Sequence, residues 1–170
     1  MAGLPGSGKS TLAACLEREL GAVVLSKDRV RAALFPPAVL DYSEAQDDIT
    51  MDAVYRAGAA ILGADPRRAV VLDGRTFLRP GQVRSLLDLA TPLGERPSII
   101  ECVCDEEVAR GRLERDLAGG GHPAGNRTFG LYLSLKAAAV PIMAPHLVLD
   151  TGRTPPEECA RRCLEYLEWG

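Results

Sequence analysis

Apolar positions along this chain fall into two alternating rhythms. Four short runs are almost continuously apolar and rich in β-branched residues: AVVLS (22–26), AVVLD (69–73), SIIECVC (98–104) and HLVLD (146–150). Runs of that length and texture predict strands buried on both faces. Between them apolar residues recur at helical spacing. The pattern predicts a helix over Ser10 to Leu20, and a short one after Asp28 that must stop before the prolines at 36–37, because a residue preceding proline avoids the helical region. A longer helix is predicted from Ser43 to about Leu62, with Ser43 capping its first turn and Gln46 able to reach back. Others are expected from Pro80 to about Ala90, from Asp105 to Leu117 with three acids at its positive end, and from about Thr128 to Ala139. The last begins in TPPEE, with Thr154 as cap, Pro155 at the first helical position and Glu157 three residues after the cap.

Strands alternating with helices predict an α/β fold: a parallel sheet with helices on both faces. One stretch, AGGGHPAGN (118–126), breaks the order. It is Gly-rich, lacks an apolar stripe and reads as a mobile loop between two helices rather than a domain linker. No repeats occur, so residues 1–170 read as a single domain, long enough to bury a real core.

Composition changes this picture little. With 46% apolar and 25% charged residues the chain is ordinary and globular. A net charge of -3 and a pI near 5.5 offer nucleic acid or anionic membrane no broad attraction, although a local basic patch is compatible with them. There is no apolar run long enough to span a membrane and no basic-then-apolar signal at the N-terminus. With an odd count of five cysteines, these features point to reduced thiols in the cytoplasm. Cys102 and Cys104 share a strand face, Cys159 and Cys163 a helix face, and Cys15 stands apart. None has zinc-type spacing, so all read as small buried hydrophobes.

The chemistry is concentrated at the start of the chain, MAGLPGSGKST. Residues Gly3-Leu4-Pro5-Gly6-Ser7-Gly8-Lys9-Ser10 match G-x-x-x-x-G-K-[ST] completely. Glycines let successive N–H groups point inward at an anion, and the helix that follows adds its positive end. The nucleotide-binding set is therefore Gly3, Pro5, Gly6, Ser7, Gly8, Lys9, Ser10 and Thr11. Lys9 is expected to reach the β- and γ-phosphates and the Ser10 hydroxyl to ligate Mg²⁺.

Two carboxylates follow strand ends. Asp73, in VVLDGR, is placed to hold Mg²⁺ through water; its plainer reading is a turn aspartate before glycine. Asp28 lies just past AVVLS and could accept the proton of an attacking hydroxyl. Arg31, three residues on, shares its face and could bind a phosphate. The plainer reading is an N-cap aspartate with a solvated arginine. Lys27 and Arg29 read as solvated. The helix ARGRLERDL carries Arg110, Arg112 and Arg115, with Arg127 beyond the glycines. Cations beside a Gly-rich segment suit the charge of phosphoryl transfer, and the alternative is a surface set offset by Glu114 and Asp116. His122 reads as solvated and His146 as flanking the last strand.

These segments resemble P-loop kinases of the AAA_33 type, relatives of the polynucleotide kinase 5′-kinase domain, chloramphenicol phosphotransferase and zeta toxin. The carriers are GLPGSGKST (3–11), SKDRVR (26–31), VVLDGRTF (70–77), RLER (112–115), HPAGNR (122–127) and PHLVLDTG (145–152). The resemblance implies a three-layer P-loop fold with a five-stranded parallel sheet in order 2-3-1-4-5. It also implies ATP and Mg²⁺ as co-substrates and transfer of a γ-phosphoryl group to a hydroxyl. By position it makes Asp28 the general base, Arg31 a substrate or phosphate contact, and Arg115, with Arg112 or Arg127, the lid cation of a segment spanning about 118–127. Such proteins carry an apolar strand just before the loop, whereas only Met1 and Ala2 precede it here. The expectation is therefore that the first strand is missing, with Met1 an internal methionine or the strand otherwise removed. The leading function is an ATP-dependent kinase of a small-molecule hydroxyl. A nucleic-acid 5′-hydroxyl kinase and a regulatory ATPase without an acceptor stay open beside it.

Overall fold

The computed structural model describes residues 1–79, 81–119 and 125–169. Along the chain run α1 (Lys9–Leu20), β1 (Val23–Ser26), α2 (Lys27–Leu34), α3 (Glu44–Ala64), β2 (Val70–Asp73), α4 (Gln82–Ala90), a 3₁₀ turn (Thr91–Leu93), β3 (Ile99–Val103), α5 (Glu106–Gly119), α6 (Phe129–Ala137), β4 (His146–Asp150) and α7 (Pro156–Trp169). The chain has the α/β fold expected of it. The four strands fall within a residue of their apolar runs. Pro80, where a helix was expected to begin, lies outside the described residues, and α4 starts after Gly81. Residues 120–124 of the Gly-rich segment, His122 among them, also lie outside.

The strands form two parallel pairs, β1 with β2 and β3 with β4. Among the described residues the strands do not join into one continuous five-stranded sheet. Where the first strand is expected, between the pairs, residues 1–3 make only short links. Met1 N donates to the Leu72 carbonyl at 2.9 Å and Ala2 N to that of Ile100 at 2.7 Å. Cys102 N returns a bond to the Ala2 carbonyl at 2.9 Å. Both outer strands are less covered than their apolar texture predicts. β1 is half-buried throughout, and Val148 in β4 is 45% exposed, because each pairs on one side only.

Alternation along the strands sends neighbours to opposite faces. Ile100, Cys102 and Leu149 pack with Leu12, Leu16, Cys159 and Cys163 of α1 and α7. Ile99 and Ala2 pack on the other side with Phe77, Leu78 and Leu86, against Leu72 and Tyr55. The result is helix, strands, helix. Four of the five cysteines are buried and Cys104 is half-buried, as expected of small hydrophobes.

Two local expectations need correcting. Ser43 does cap α3, accepting from Gln46 N at 3.3 Å. Gln46, however, does not reach back to Ser43; its amide bonds to Asp41 N and the Val39 carbonyl, and Asp41 takes the Ser43 N–H. The chain before α3 is thus tied by Gln46 into a compact loop. Helix α7 begins at Pro156, so Pro155 stands just before it.

Candidate active site

The phosphate loop joins residues 1–3 to α1, and Gly3 explains why its first position admits no side chain. Gly3 has φ 124, and a Cβ there would stand 2.2 Å from the Cys102 carbonyl oxygen of β3. Gly3→Ala is therefore expected to destabilise the fold by roughly 3 kcal/mol or more, from backbone strain plus overpacking against a rigid strand. A denaturant titration checks this, and an unchanged midpoint would refute it. At the far end Gly8, also at positive φ, is the N-cap of α1. The first-turn N–H groups of that helix have no intrahelical acceptor and so are available to an anion.

What holds the loop open lies far along the chain. The Thr151 hydroxyl donates to the Ser7 carbonyl at 2.8 Å. Arg112 donates through Nη1 to Thr151 Oγ1 at 2.9 Å and to the Gly6 carbonyl at 3.1 Å, and through Nη2 to the Thr151 carbonyl at 2.7 Å. Pinning the Ser7 carbonyl outward turns the Gly8 N–H the opposite way, because the peptide is planar and trans. Thr151 was visible in PHLVLDTG, but nothing in its sequence context tied it to a loop 144 residues earlier. Arg112, expected as a nucleotide contact, spends its guanidinium on this clamp.

Lys9 is 8% exposed. Its ammonium donates to the Gly3 and Leu4 carbonyls at 2.9 and 2.7 Å, leaving one of its three protons for a ligand. Burial lowers its pKa to about 8, with nearby Asp73 pulling the other way. Ser10 and Thr11 are exposed at the start of α1. Asp73 is buried at the end of β2, and its Oδ1 has no hydrogen-bond partner among the described residues. An orphaned carboxylate oxygen beside the loop lysine fits a hard divalent cation that Ser10 would share. No cluster of three or more His, Cys, Asp or Glu that could hold a metal ion occurs among the described residues.

Two cavities flank Lys9. The larger, about 420 Å³, lies over the loop and is lined by Gly6, Gly8, Lys9, Ser10, Thr11, Arg112, Arg115, Arg127 and Thr154 among others. Its volume suits a nucleotide-sized ligand. The smaller, about 180 Å³, is lined by Asp28, Arg31, Tyr42, Asp47, Arg75 and Gln82 among others. Lys9, Ser10 and Arg127 line both. Arg127 is 17% exposed and stands 3.4 Å from Asp116. Arg115 is tied to its own helix at the Gly111 carbonyl, and Arg110 lies over the Phe129 ring, 4.3 Å from its centroid.

In the smaller cavity Asp28 and Arg31 do share a face, with Oδ1 and Nη1 3.7 Å apart. Asp28 is not the helix cap, since Ser26 accepts from Arg29 N instead. Arg29 is exposed as expected, whereas Lys27 is not solvated: its side chain is 14% exposed and bonds Asp47 at 2.7 Å. Arg31 also bonds Asp47. Burial works to raise the Asp47 pKa, but Lys27, Arg31 and Arg75 outweigh it and hold the carboxyl below its ordinary value. Asp47 sits on the inward face of α3, where spacing gave no sign of a site. Tyr42 and Phe77, in the loops beside this cavity, have positive φ of 55 and 56, the kind of strain that gathers at functional sites.

Comparison with known proteins agrees with this fold and with its phosphate-loop family. The AAA_33 family model, described as an AAA domain, matches residues 1–124. An adenylyl-sulfate kinase of Bacillus pumilus (strain SAFR-032) is 30% identical over 174 residues, spanning 99% of this chain and 83% of its own. Among solved structures, a kinase candidate from Chloroflexus aurantiacus superposes with a TM-score of 0.77 at 21% identity, covering 99% of this chain and 94% of the other. The Mycobacterium tuberculosis APS kinase in complex with AMPPNP and APS superposes with a TM-score of 0.71 at 23% identity, covering 98% and 94%. At those identities the two structures speak for the fold.

Proposed function

The chain belongs to the AAA_33 family of AAA domains, within the P-loop kinases, and from that membership we propose that residues 1–170 are one kinase domain transferring the γ-phosphoryl of ATP to a hydroxyl of a small molecule. The observation that carries this is the meeting of two cavities at Lys9, Ser10 and Arg127, with Asp28 lining the second. A loop for phosphates and a carboxylate in the neighbouring pocket are what in-line transfer between two substrates requires. The similar adenylyl-sulfate kinase and the APS kinase solved with AMPPNP support a nucleotide donor and a small acceptor.

In this reading the acceptor oxygen forms its bond to the γ-phosphorus as the bond to the β–γ bridging oxygen breaks, and ADP leaves. Asp28 takes the acceptor's proton. Lys9 meets the β- and γ-phosphates, the loop N–H groups hold the chain of phosphates, and Arg127 faces both substrates. Arg115 borders the donor side, and Arg31 orients Asp28 and Asp47. Mg²⁺ held by Ser10 and Asp73 would neutralise charge on the phosphates. The test is a screen of hydroxyl metabolites, nucleosides and oligonucleotides with Mg-ATP, read by mass spectrometry for gain of one phosphoryl group. Acceptor-dependent ADP release with a phosphorylated small molecule is expected. Phosphorylated oligonucleotides alone would move the acceptor class to nucleic acid, and ADP release indifferent to every acceptor would make the chain an ATPase.

A further inference from the structure

Arg75 stands two residues past the end of β2, in the loop bordering the smaller cavity. Its side chain is 12% exposed, yet its partners are poor. Nη1 is 3.3 Å from the Tyr55 hydroxyl, a neutral group. Nη2 is 3.9 Å from Asp48, a carboxylate that is 77% exposed. Nε is buried with no hydrogen-bond partner among the described residues.

The surrounding charges do not cover it. Lys27 and Arg31 share one carboxylate, Asp47. Asp28 faces Arg31 at 3.7 Å. At the mouth Arg79 and Glu44 offset each other at 2.9 Å. The cavity is lined by Lys9, Lys27, Arg31, Arg75, Arg79 and Arg127 against Asp28, Glu44 and Asp47. With Lys9 and Arg127 turned to the donor phosphates and Arg79 offset by Glu44, Lys27, Arg31 and Arg75 are left with Asp28 and Asp47, an excess of one positive charge. That excess grows by one when Asp28 takes up a proton. A buried cation without a counter-charge is costly, and a guanidinium fork fits a planar or tetrahedral oxyanion through two parallel bonds. The cavity, about 180 Å³, is smaller than the roughly 300–1,000 Å³ typical of drug-sized ligands.

Resting on the kinase reading above, we infer that the acceptor is a small hydroxy compound bearing an oxyanion group, a carboxylate, phosphate ester or sulfate ester, and that Arg75 holds that group while the hydroxyl lies toward Asp28. Arg75 then selects the acceptor and takes no part in binding ATP.

Two measurements test this. In the first, inorganic sulfate is titrated by calorimetry into protein saturated with Mg-AMPPNP, so that the β- and γ-phosphate positions are already filled. Wild type is expected to bind one sulfate, and Arg75→Gln to lose that binding while still taking Mg-AMPPNP. In the second, matched acceptors sharing one carbon skeleton are compared with Mg-ATP: a neutral polyol, its acid, its phosphate ester and its sulfate ester. A charged member should be favoured, and its identity distinguishes the three oxyanions. Arg75→Gln should raise the KM of that member by roughly 10- to 150-fold, the loss of a charged hydrogen-bonded contact, with little change in kcat or in the KM for ATP. Arg75→Lys should recover part of it. Absence of saturable sulfate binding to the Mg-AMPPNP complex, sulfate binding that survives in Arg75→Gln, or preference for the neutral polyol would each overturn the inference while leaving the kinase reading intact. Failure of Mg-AMPPNP itself to bind would overturn both.

Discussion

Asp28→Asn is expected to lower phosphoryl transfer by roughly 10²- to 10⁴-fold, the worth of a positioned general base, with Mg-ATP affinity nearly unchanged. Asparagine keeps the size of the side chain but cannot take a proton. Asp28 is 18% exposed and lines the smaller cavity but not the larger one over the phosphate loop. Arg31 retains Asp47 as its partner, so the fold around the site has no reason to loosen. Single-turnover kinetics beside calorimetric titration with Mg-ATP separates the two effects. Equal turnover in the variant would remove Asp28 from proton transfer, and a parallel loss of nucleotide affinity would assign it to donor binding instead.

Lys9→Met is expected to act on the donor side. Losing an ammonium from the phosphate site should weaken Mg-ATP binding by roughly 10- to 150-fold and lower transfer further still. The same substitution reports on burial. Desolvation lowers the Lys9 pKa from 10.5 to about 8 in the folded protein, with Asp73 opposing the change. Between those values the unfolded chain carries more protons than the folded one, so this residue's contribution to stability rises with pH across about 8 to 10.5. The penalty is present in full below about pH 8. The lowering corresponds to about 3 kcal/mol. The melting midpoint of wild type relative to Lys9→Met should therefore climb from pH 8 to pH 10. A flat difference would mean that the ammonium is solvated.

The donor side was largely legible in the sequence, and the acceptor side was not. A phosphate loop is a contiguous run in which each residue's role follows from its own backbone, so residues 3–11 announced their position and the anion-cradling chemistry they offer. Strands betray themselves similarly, through unbroken apolar runs. The smaller cavity, which we propose holds the acceptor, is assembled from the start of α2, the capping loop of α3 and the turn after β2; those segments can be named from the sequence as its walls, but which side chains meet there is settled only in three dimensions. Lys27 read as a surface lysine because nothing nearby in sequence showed that Asp47, twenty residues on, would turn inward to meet it. Arg75 lay in VVLDGRTF, where nothing in the run showed that its guanidinium would be buried with a partnerless Nε. Arg112 carried the right charge for a lid, but its geometry depends on Thr151, thirty-nine residues further along.

The cysteines lend the protein a gauge of its own integrity. Burial pushes Cys102 up to about 11 and Cys163 up to about 12, and raises Cys104 and Cys159 as well. Since the thiolate is the species that attacks electrophiles, a chromogenic disulfide reagent at neutral pH should colour slowly with intact material. Denaturation returns these sulfurs to water, where they ionise near 9, and the colour should develop quickly. The rapid fraction of five equivalents then measures how much of a preparation has lost its structure, with no label added and no substrate known.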